Sequence, residues 1–317
     1  MRAILVTPDH SLVLSDAPRP LLGENDLRIA VRATSVNRAD LLQRVGRYPP
    51  PPGASEILGL ECAGVVSEVG ANVRGWREGE RAMALLPGGG YAEEVTVHAG
   101  SAMHVPDALS DEEAAAIPEV FLTAFLNLFL LANVRAGETA LIHGGGSGVG
   151  TAATTLCKLA GVRVIVTAGS DEKCARCLEH GADVAINYRD EDFVKKARGA
   201  NVILDHIGAR YIAQDLEALA AGGRIVIIGS MGGQRTADLD VTSLLMKRAQ
   251  LIGSTLRARP VEEKAEIVRA FLTRFGGDLE AGRIRPVIHQ VLPLADAAEA
   301  HRLMEASEHF GKIGLVT

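Results

Sequence analysis

The sequence is poor in cysteine, with only Cys62, Cys157, Cys174 and Cys177 among its 317 residues. So few cysteines in a chain of this length exclude the disulfide framework of small secreted domains. Cys174 and Cys177 have C-x-x-C spacing, which can indicate metal or redox chemistry. They lie, however, in a segment with the pattern of a single helix, and no second pair is nearby. We interpret them as ordinary residues of a helix face.

Long runs of one chemical character are also missing. The net charge is −6 and no long basic run occurs, so no nucleic-acid partner is indicated. Glycine or charge interrupts each apolar stretch before it reaches about 18 residues, the length of a membrane span. Residues 1–15 lack the charged start and apolar core of a signal peptide. We therefore expect a cytoplasmic protein without a membrane partner, whose length favours two domains.

The best-defined motif is a glycine run in residues 140–150, ALIHGGGSGVG. Apolar residues precede it and a helical pattern follows, which predicts a strand, a tight turn and a helix whose first N–H groups bind a phosphate. The literal G-x-G-x-x-G spacing is absent because Ser147 stands at the second glycine, and Thr151 occupies the lysine position of a P-loop. We interpret the run as the pyrophosphate site of a dinucleotide-binding unit, with a flexible glycine loop as the alternative.

Strands and helices alternate regularly around this motif. Such alternation predicts βαβ crossovers and a parallel sheet covered by helices on both faces. Six strands make a complete Rossmann sheet. The predicted strands are Glu138–His143, Arg163–Thr167, Asp183–Ile186, Val202–His206, Arg224–Ile228 and Gln250–Thr255. The predicted helices between them are Val149–Ala160, Asp171–His180, Asp190–Arg198 and Tyr211–Ala220.

The first 120 residues have a different pattern, with many short segments rich in Val, Ile and Leu. They predict a barrel or sandwich. Ser35–Tyr48 and the proline run that follows it have the composition of a loop. Ser110 predicts the cap of a helix beginning at Asp111, and Phe121–Leu131 continues in a helical pattern. The predicted strands are Met1–Val6, Ser11–Leu14, Leu27–Thr34, Gly64–Val69, Arg81–Leu85 and Ala92–Val97.

The C-terminal residues predict a helix, a strand, a second helix and a final strand. With these elements the chain can finish by returning to the first domain. In chain order they are Glu262–Phe275, Ile284–Leu292, Ala295–Ala306 and Lys312–Val316.

The end of the second Rossmann strand indicates which nucleotide to expect. NAD-binding units place an acidic residue there to bond the ribose 2′-OH, but this strand ends in Gly169 and Ser170. These small residues leave room for a 2′-phosphate, and Lys173 follows in the first helical turn, so NADPH is the expected cofactor. Asp171 and Glu172 add negative charge, although at a helix N-terminus they can point away. A solvated helix lysine is the alternative interpretation of Lys173.

Together these motifs resemble the zinc-independent quinone oxidoreductases of the medium-chain dehydrogenase/reductase superfamily. Within that family the chain is most similar to the p53-inducible quinone oxidoreductase type. The similarity runs collinearly through nearly the whole chain. The segments that carry it are Asn37–Leu41, Pro50–Ser55, Ile57–Glu61, Ala82–Gly90, Ala115–Glu119, Leu122–Phe125, Ser147–Ala153 and Thr167–Ser170.

The resemblance implies an α/β fold with two domains. A Rossmann domain with a six-stranded parallel sheet would bind NADPH at residues 121–259. A GroES-like, β-rich catalytic domain would occupy residues 1–120, and residues from about 260 to 317 would rejoin it. Members of the family commonly form homodimers through the last Rossmann strand, here around Gln250–Leu256.

The resemblance also implies the site residues, carried over by position. The pyrophosphate would contact Ser147, Gly148 and Val149. The adenosine 2′-phosphate would be surrounded by Gly169, Ser170, Lys173 and Tyr188. The nicotinamide side would be flanked by Gly229, Met231, Gly232, Ser254, Leu256 and Arg257. The substrate end would be lined by Asn37, Asp40, Tyr48 and Thr123. His143, at the end of the first Rossmann strand, is interpreted as a structural residue.

The ligands of a catalytic zinc are missing from the corresponding positions. Catalytic zinc needs three protein ligands and an open fourth position. Asn37 stands where zinc-dependent relatives have the first ligand cysteine, and Leu60 and Glu61 replace a His-Glu pair. No cysteine cluster follows Pro87–Gly90. We therefore expect no metal.

The expected reaction can proceed without one. Alcohol oxidation needs a Lewis acid to stabilise an alkoxide, whereas hydride addition to a quinone yields a phenolate that positioning and hydrogen bonds can stabilise. Tyr48 and Asn37 are the candidate catalytic residues, because either could donate to the acceptor oxygen. For Tyr48, packing against the proline loop is the alternative.

The expected activity is NADPH-dependent, zinc-independent reduction of a quinone. Three alternatives stay open at this point. They are a 2-alkenal or enone reductase, a nucleotide-binding protein without turnover and a zinc alcohol dehydrogenase.

Overall fold

The computed structural model describes residues 1–236 and 239–317, and these form two compact units. The first unit comprises Met1–Leu122 and Leu256–Thr317, and the second comprises Thr123–Thr255. In the sequence pattern the corresponding boundaries lie at 120/121 and 259/260.

The strands, in chain order, are β1 (Arg2–Val6), β2 (Leu12–Asp16), β3 (Asp26–Ser35), β4 (Glu61–Val69), β5 (Arg81–Leu85), β6 (Glu94–His98), β7 (Ala102–His104), β8 (Thr139–Ile142), β9 (Arg163–Ala168), β10 (Val184–Asn187), β11 (Ala200–Asp205), β12 (Leu219–Ile227), β13 (Gln250–Gly253), β14 (Ile288–Pro293) and β15 (Lys312–Val316). The α-helices are α1 (Arg38–Arg44), α2 (Asp111–Ala114), α3 (Pro118–Phe125), α4 (Gly148–Leu159), α5 (Asp171–Glu179), α6 (Phe193–Lys196), α7 (Ile212–Ala218), α8 (Val241–Lys247), α9 (Val261–Glu280) and α10 (Ala297–Glu305). A π-helical turn follows α3 at Leu126–Leu131, and short 3₁₀ turns lie at Ala99–Ser101 and Leu294–Asp296.

The first unit is built on a mostly antiparallel sheet in the order β14-β15-β3-β4-β5-β7, with β6 also paired to β3. One edge of β3 faces β4, and the other edge is shared by β6 and β15. The C-terminal strand β15 pairs Gly314 with Ser35 and Val316 with Ala33, so the end of the chain is built into the first unit. Apolar clusters of this unit lie around Leu27, Ile29 and Val66 and around Leu58, Tyr91 and Ile313.

The second unit contains a six-stranded parallel sheet in the order β10-β9-β8-β11-β12-β13. This is the doubly wound Rossmann order, with the first strand of the unit, β8, beside the fourth, β11. Ala140, Leu141 and Ile142 in β8 are fully buried, because helices cover both faces of such a sheet and its strands are therefore apolar throughout. The predicted Rossmann and GroES-like α/β fold is confirmed.

Local capping explains one helix that the pattern predicts and one that it misses. The Ser110 hydroxyl accepts a hydrogen bond from Glu113 N, and the Glu113 carboxylate accepts one from Ser110 N, so α2 starts where predicted. The predicted loop Ser35–Tyr48 instead contains helix α1. Asp40 accepts a bond from the backbone N–H of Asn37, which stabilises the helix start in a segment whose hydrophobic periodicity is too short to reveal it.

Other boundaries differ from the predicted ones. Helix α6 spans only Phe193–Lys196, although the pattern predicts Asp190–Arg198, because Asp192 caps it by accepting from Val194 N. Helix α8 is not predicted; Asp240 caps it by accepting from the N–H groups of Thr242 and Ser243. A single short turn of helix carries little periodic signal, so its cap decides where it begins.

One helical stretch, Asp111–Leu131, is long and apolar enough by composition to cross a membrane. In its most apolar 18-residue window, 78% of the residues are buried inside the fold. Core helices pass the same test of length and composition, so the stretch is weak evidence for a membrane span.

Candidate functional site

In the second unit, the predicted cofactor residues follow the carboxyl ends of the parallel strands. Loops at these ends bind ligands in open α/β sheets, beside the point where the strand order reverses, here between β8 and β11. The loop after β8 carries Ser147, and the loop after β9 carries Gly169 and Ser170. Tyr188 follows β10, and Ser254 follows β13.

The glycine turn between β8 and α4 is tightly packed. A Cβ on Gly145 would lie 2.6 Å from Cβ of Val166, and one on Gly150 would lie 2.3 Å from the carbonyl oxygen of Gly144. Larger residues would therefore push the turn away from the sheet. The backbone is left close to the start of α4, where the N–H groups of Gly148 and Val149 lack intrahelical acceptors. The turn fits a pyrophosphate.

Ser147 is the N-cap of α4. Its hydroxyl oxygen accepts a 3.0 Å hydrogen bond from Gly150 N. This bond uses an acceptor lone pair and leaves the hydroxyl proton free to be donated to a phosphate oxygen. A serine at the second glycine position of the motif therefore caps the helix and still offers a donor to an anion.

The loop after β9 packs against Tyr188. A Cβ on Gly169 would lie 2.7 Å from the Tyr188 hydroxyl, so only glycine permits this approach. Ser170 caps α5 by accepting from Lys173 N at 3.2 Å. The structure thus brings together the four residues predicted to surround the 2′-phosphate. Partial burial lowers the pKa of the Lys173 ammonium.

The acidic residues beside this loop differ in their surroundings. Asp171 Oδ1 accepts a 2.9 Å hydrogen bond from Nδ2 of Asn187, at the end of β10. Its carboxylate is therefore held against the neighbouring strand. Glu172 is exposed in the first turn of α5, where a negative charge also interacts favourably with the helix N-terminus.

The predicted nicotinamide-side loops are held by backbone contacts. Met231 N and Gly232 N donate to the carbonyl oxygens of His206 and Ile207, which follow β11. A Cβ on Gly229 would lie 2.9 Å from the His206 oxygen. Ser254 Oγ is buried and has no hydrogen-bond partner within the described residues. An orphaned hydroxyl beside the strand ends fits a missing polar ligand such as a dinucleotide.

His143 lies at the end of β8 and is buried among polar partners. Its Nε2 lies 2.8 Å from Asp215 Oδ1, and its Nδ1 lies 3.0 Å from Thr167 Oγ1. Both ring nitrogens are thereby engaged, which fits the structural interpretation. Burial, followed by the charge of Asp215, raises the pKa of the nearby Asp205 to about 6.

In the first unit, Glu61 is the centre of a buried polar cluster. Its Oε1 accepts from Ser35 Oγ at 2.5 Å, from Asn37 Nδ2 at 2.8 Å and from Lys312 Nζ at 2.8 Å. Its Oε2 accepts from the backbone N–H of Glu119 at 2.9 Å. The Glu61 side chain is fully buried, and only 3% of the Lys312 side chain is exposed. One carboxylate therefore joins β3, the start of α1, the start of α3 and β15.

Asn37 is held on both sides of its amide. Its Oδ1 accepts a 2.7 Å bond from Lys312 Nζ, and its Nδ2 donates to Glu61. Because an ammonium can only donate and a carboxylate can only accept, these partners determine which amide atom is oxygen. The prediction that Asn37 donates to an acceptor needs correction, because its donor group is committed to Glu61 and, at 3.4 Å, to the Ser35 carbonyl.

Asp40 is fully buried. Its carboxylate accepts from the N–H groups of Asn37 and Gly59, at 2.8 and 3.0 Å, and from the Tyr91 hydroxyl at 3.2 Å. Burial raises its pKa to about 6. The prediction that Asp40 lines the substrate end also needs correction, because it has no exposed surface and instead supports the backbone beneath Asn37.

Tyr48 lies in the loop after α1 and is partly exposed. Its ring packs beneath the Arg257 guanidinium, and its carbonyl oxygen accepts a 3.3 Å bond from Arg257 Nη1. Within residues 1–236 and 239–317 its hydroxyl makes no hydrogen bond. Burial, and then the nearby Glu119 carboxylate, raises the pKa of the phenol. Tyr48 is thus a protonated donor available to a ligand.

Arg257 belongs to the first unit and is 3% exposed. It also donates to Pro87 O at 2.8 Å and to Gln43 Oε1 at 2.7 Å. These bonds tie the Tyr48 loop to the loop after β5 and to Gln43 of α1. Leu256 is likewise in the first unit and buried, whereas Thr123 begins the second unit and is 9% exposed.

Glu119 is a titratable residue near Tyr48 that the sequence pattern does not single out. Its Oε2 is buried without a hydrogen-bond partner among the described residues. Burial, and then the charge of Glu61, raises the pKa of its carboxyl to about 8. Lys264 of α9 is 5% exposed, and its charge and that of Arg257 attract the Glu119 carboxylate. Only folding brings these groups together.

Comparison with known proteins now identifies the family. The model described as alcohol dehydrogenase GroES-like domain matches residues 23–107, and the one described as zinc-binding dehydrogenase matches residues 148–273. The quinone oxidoreductase of Sus scrofa is 32% identical over 301 residues, which are 93% of this chain and 89% of the relative. The chain belongs to the quinone oxidoreductase family of the medium-chain dehydrogenase/reductase superfamily. It is an oxidoreductase.

Solved structures agree on the fold of this quinone oxidoreductase family member. The quinone oxidoreductase of Thermus thermophilus, solved also with NADPH, is 32% identical with a TM-score of 0.85, and 100% of both chains is covered. An NAD-dependent alcohol dehydrogenase has the same identity, TM-score and coverage. Overall similarity therefore does not separate cofactors or acceptors, and the site residues must do so.

The residues of this family member do not fit a catalytic zinc, despite the name of one matching model. The Lys312 ammonium lies against Asn37, which stands at the position of the first ligand cysteine of zinc-dependent relatives, and against Glu61. Within the described part of the chain, no group of three or more His, Cys, Asp or Glu side chains could hold a metal. The Lys312 ammonium is already bonded to Asn37 Oδ1 and Glu61 Oε1.

Proposed function

We propose that this protein is an NADPH-dependent, zinc-independent quinone reductase. The observation that carries the proposal is the Lys312 ammonium bonded to Asn37 and Glu61. A site without a Lewis acid is poorly suited to form an alkoxide from an alcohol. It is suited to an acceptor whose reduced form is already a stabilised anion, which favours a quinone. The names of the Sus scrofa and Thermus thermophilus relatives support the same acceptor class.

Two features of the second unit support NADPH. Gly169 and Ser170 follow β9 in place of an acidic residue, and Lys173 lies in the first turn of α5. Asp171, the first acidic residue after β9, accepts a hydrogen bond from Asn187. A phosphate there would meet a cation and the first N–H groups of α5.

When bound, the reduced nicotinamide supplies a hydride to the acceptor. The contribution of this chain is then to hold the acceptor and to stabilise the charge that develops on its oxygen. Tyr48 is the proposed donor to that oxygen, because its hydroxyl is protonated and unengaged within the described residues. Arg257 holds the ring and the carbonyl group of Tyr48, which limits the motion of the donor.

Asn37 and Asp40 act indirectly in this proposal. Asn37 is held between Lys312 and Glu61, and Asp40 bonds the backbone of Asn37 and Gly59. They keep the end of β3 and the start of α1 in place. Solvent supplies the proton that completes the hydroquinone, so no side chain has to be an essential acid.

We also propose a homodimer in the cytoplasm. Strand β13 is last in the order of the six-stranded sheet and pairs with β12 on one side. Its other edge offers N–H and C=O groups to a second copy. All four cysteines are buried and none forms a disulfide, as suits a reducing compartment. Sedimentation equilibrium should give twice the 33.4 kDa mass of the chain; a monomer at micromolar concentration would contradict the dimer.

The activity is tested by mixing the purified protein with NADPH and following nicotinamide absorbance. The acceptors are 1,4-benzoquinone, a larger quinone, a 2-alkenal and a simple ketone, each with and without a chelator. We expect chelator-resistant turnover with quinones. Turnover of alkenals alone would make the protein an enone reductase, and chelator-sensitive reduction of the ketone would make it a zinc alcohol dehydrogenase. Tight NADPH binding without turnover would leave only a nucleotide-binding role.

A further inference from the structure

The Lys312 ammonium is enclosed by three oxygens of the first unit. Nζ lies 2.7 Å from Asn37 Oδ1, 2.8 Å from Glu61 Oε1 and 2.9 Å from the Val36 carbonyl oxygen. These three acceptors match the three protons of an ammonium group. The cage combines one full negative charge with two neutral dipoles, so it is built for a single positive charge.

The three oxygens of the cage come from two segments of the chain. Val36 and Asn37 connect β3 to α1, and Glu61 begins β4. Through its second oxygen, Glu61 also accepts from Glu119 N at the start of α3. Lys312 comes from β15, which joins this sheet only in the folded chain. The lysine therefore orders several segments around one point.

The ammonium also determines how Asn37 is turned. With Lys312 on one side, the amide oxygen must face the cation, and its NH₂ group must face Glu61. Without the cation, Asn37 could rotate, and Glu61 would hold a buried charge without a counter-ion. Both changes would disturb the turn that leads into α1 and the Tyr48 loop.

We infer that Lys312 is a positioning residue that serves as the internal cation of this site, bonded to Asn37 and Glu61. The inference rests on the proposed function, because it explains how the site can do without zinc. Lys312 keeps Asn37, Glu61 and the start of α3 in the arrangement that presents Tyr48 to the acceptor. A monovalent cation is thus covalently attached to the chain and cannot dissociate.

Chemical rescue tests this inference. Lys312→Ala removes the ammonium but keeps the three residues that supply the oxygens of the cage. We expect kcat for quinone reduction to fall by about 100-fold, on the scale of losing one preorganised electrostatic group. Ammonium or methylammonium chloride should restore about 10-fold or more of that loss and raise Tm, whereas sodium chloride at equal ionic strength should restore neither. The NADPH dissociation constant, measured by fluorescence, should change less than about 2-fold because the second unit is untouched.

Lys247→Ala is the matched control. The Lys247 ammonium also donates to three oxygens, the carbonyls of Leu216, Glu217 and Leu219, but it lies in the second unit and bonds no carboxylate among the described residues. Its loss should lower Tm without an ammonium-dependent change in kcat. Rescue of kcat in both variants, or in neither, would overturn the inference.

A double variant separates positioning from mere charge neutralisation. Glu61→Gln with Lys312→Met removes both buried charges and should recover much of the lost Tm. We expect it to stay slow with quinones, because no cation then orients Asn37. Wild-type kcat in the double variant would show that Lys312 only neutralises Glu61 and would overturn the inference.

Two further readouts distinguish failure of this inference from failure of the proposed function. If the wild-type protein reduces alkenals instead of quinones, the quinone proposal fails while the same rescue is measured with the alkenal. If no acceptor turns over, the proposed function fails, and ammonium-dependent recovery of Tm in Lys312→Ala still tests the cation cage. Stoichiometric zinc in the wild-type protein, measured by metal analysis, would overturn the inference directly.

Discussion

The guanidinium carbon of Arg257 lies 5.4 Å from the ring centroid of Tyr48. The same arginine also bonds the Tyr48 carbonyl oxygen, so one side chain holds both the ring and the backbone of the tyrosine. Stacking on an aromatic face and donating in several directions is a combination that lysine cannot reproduce. The phenol hydroxyl is left for a ligand.

Replacing Tyr48 by phenylalanine tests that hydroxyl. The ring and its contact with Arg257 are retained, and the donor is lost. We expect kcat with a quinone to fall by about 10- to 100-fold, with little change in NADPH affinity, because the loss concerns a charge that develops during reaction. Steady-state kinetics measures both quantities. Equal activity of Tyr48→Phe and wild type, with loss only in Tyr48→Ala, would show that Tyr48 acts through packing.

Lys173 is expected to distinguish NADPH from NADH. Lys173→Ala should weaken NADPH binding by about 1.5–3 kcal/mol, the scale of a hydrogen bond to a charged group, and leave NADH nearly unaffected. Calorimetric titration of both nucleotides measures the difference. Lys158→Ala is a suitable control, because Lys158 also lies in the second unit but at the end of α4, where it pairs with Asp183. Equal losses for NADPH and NADH would remove Lys173 from the 2′-phosphate site.

Glu119 predicts a pH dependence of stability. Burial, and then Glu61, raises its pKa from 4.5 to about 8 in the folded protein. Between these values the folded chain keeps a proton that the unfolded chain has released, so stability falls as pH rises and levels off above about 8. In Glu119→Gln this part of the decline should vanish.

Thermal unfolding from pH 5 to pH 9 measures this effect as the difference in Tm between wild type and variant. Glu280→Gln, an exposed position at the end of α9, is the control. It should run parallel to the wild type. A Tm difference between Glu119→Gln and wild type that does not change with pH would contradict the raised pKa.

The glycine turn predicts a local loss of nucleotide binding. In Gly150→Ala the new Cβ would lie 2.3 Å from the Gly144 carbonyl oxygen. Because that neighbour is backbone, the turn must shift, and NADPH affinity should fall by about 10-fold or more. Gly277→Ala lies within α9 with open space around it and should instead stabilise the protein by about 0.5–1 kcal/mol. Retained NADPH affinity in Gly150→Ala would show that the turn does not hold the pyrophosphate.

Local pattern is sufficient for most of the fold. The capping residue Ser110 marks α2, and the apolar runs mark the parallel strands, because caps and periodicity act between neighbours in the chain. Helix α1 escapes the pattern, since its stabilising contact from Asp40 competes with a loop-like composition. The proposed pyrophosphate site is recognisable because a strand, a glycine turn and a helix lie consecutively in the sequence.

The acceptor side is less predictable. From the sequence, Asn37, Asp40 and Tyr48 are equal candidates for the substrate end. In the structure Asn37 and Asp40 are buried and hydrogen-bonded, whereas the Tyr48 hydroxyl is unengaged within the described residues. Glu61 lies in a segment of the family resemblance, where Leu60 departs from the His-Glu pair of zinc-dependent relatives. Glu119 lies in a segment that carries the family resemblance, but nothing in the sequence shows that burial raises the pKa of its carboxyl.

The sequence by itself determined the Rossmann and GroES-like class and the absence of the usual zinc ligands, because these depend on residue types at short, ordered spacings. Only the tertiary structure decided which group lies against Asn37 and Glu61. Lys312 and Asn37 are 275 positions apart, and no periodicity or motif relates residues at that distance. They meet because β15 pairs with β3. The low dielectric constant of the buried site also strengthens the attraction between the Lys312 ammonium and the Glu61 carboxylate.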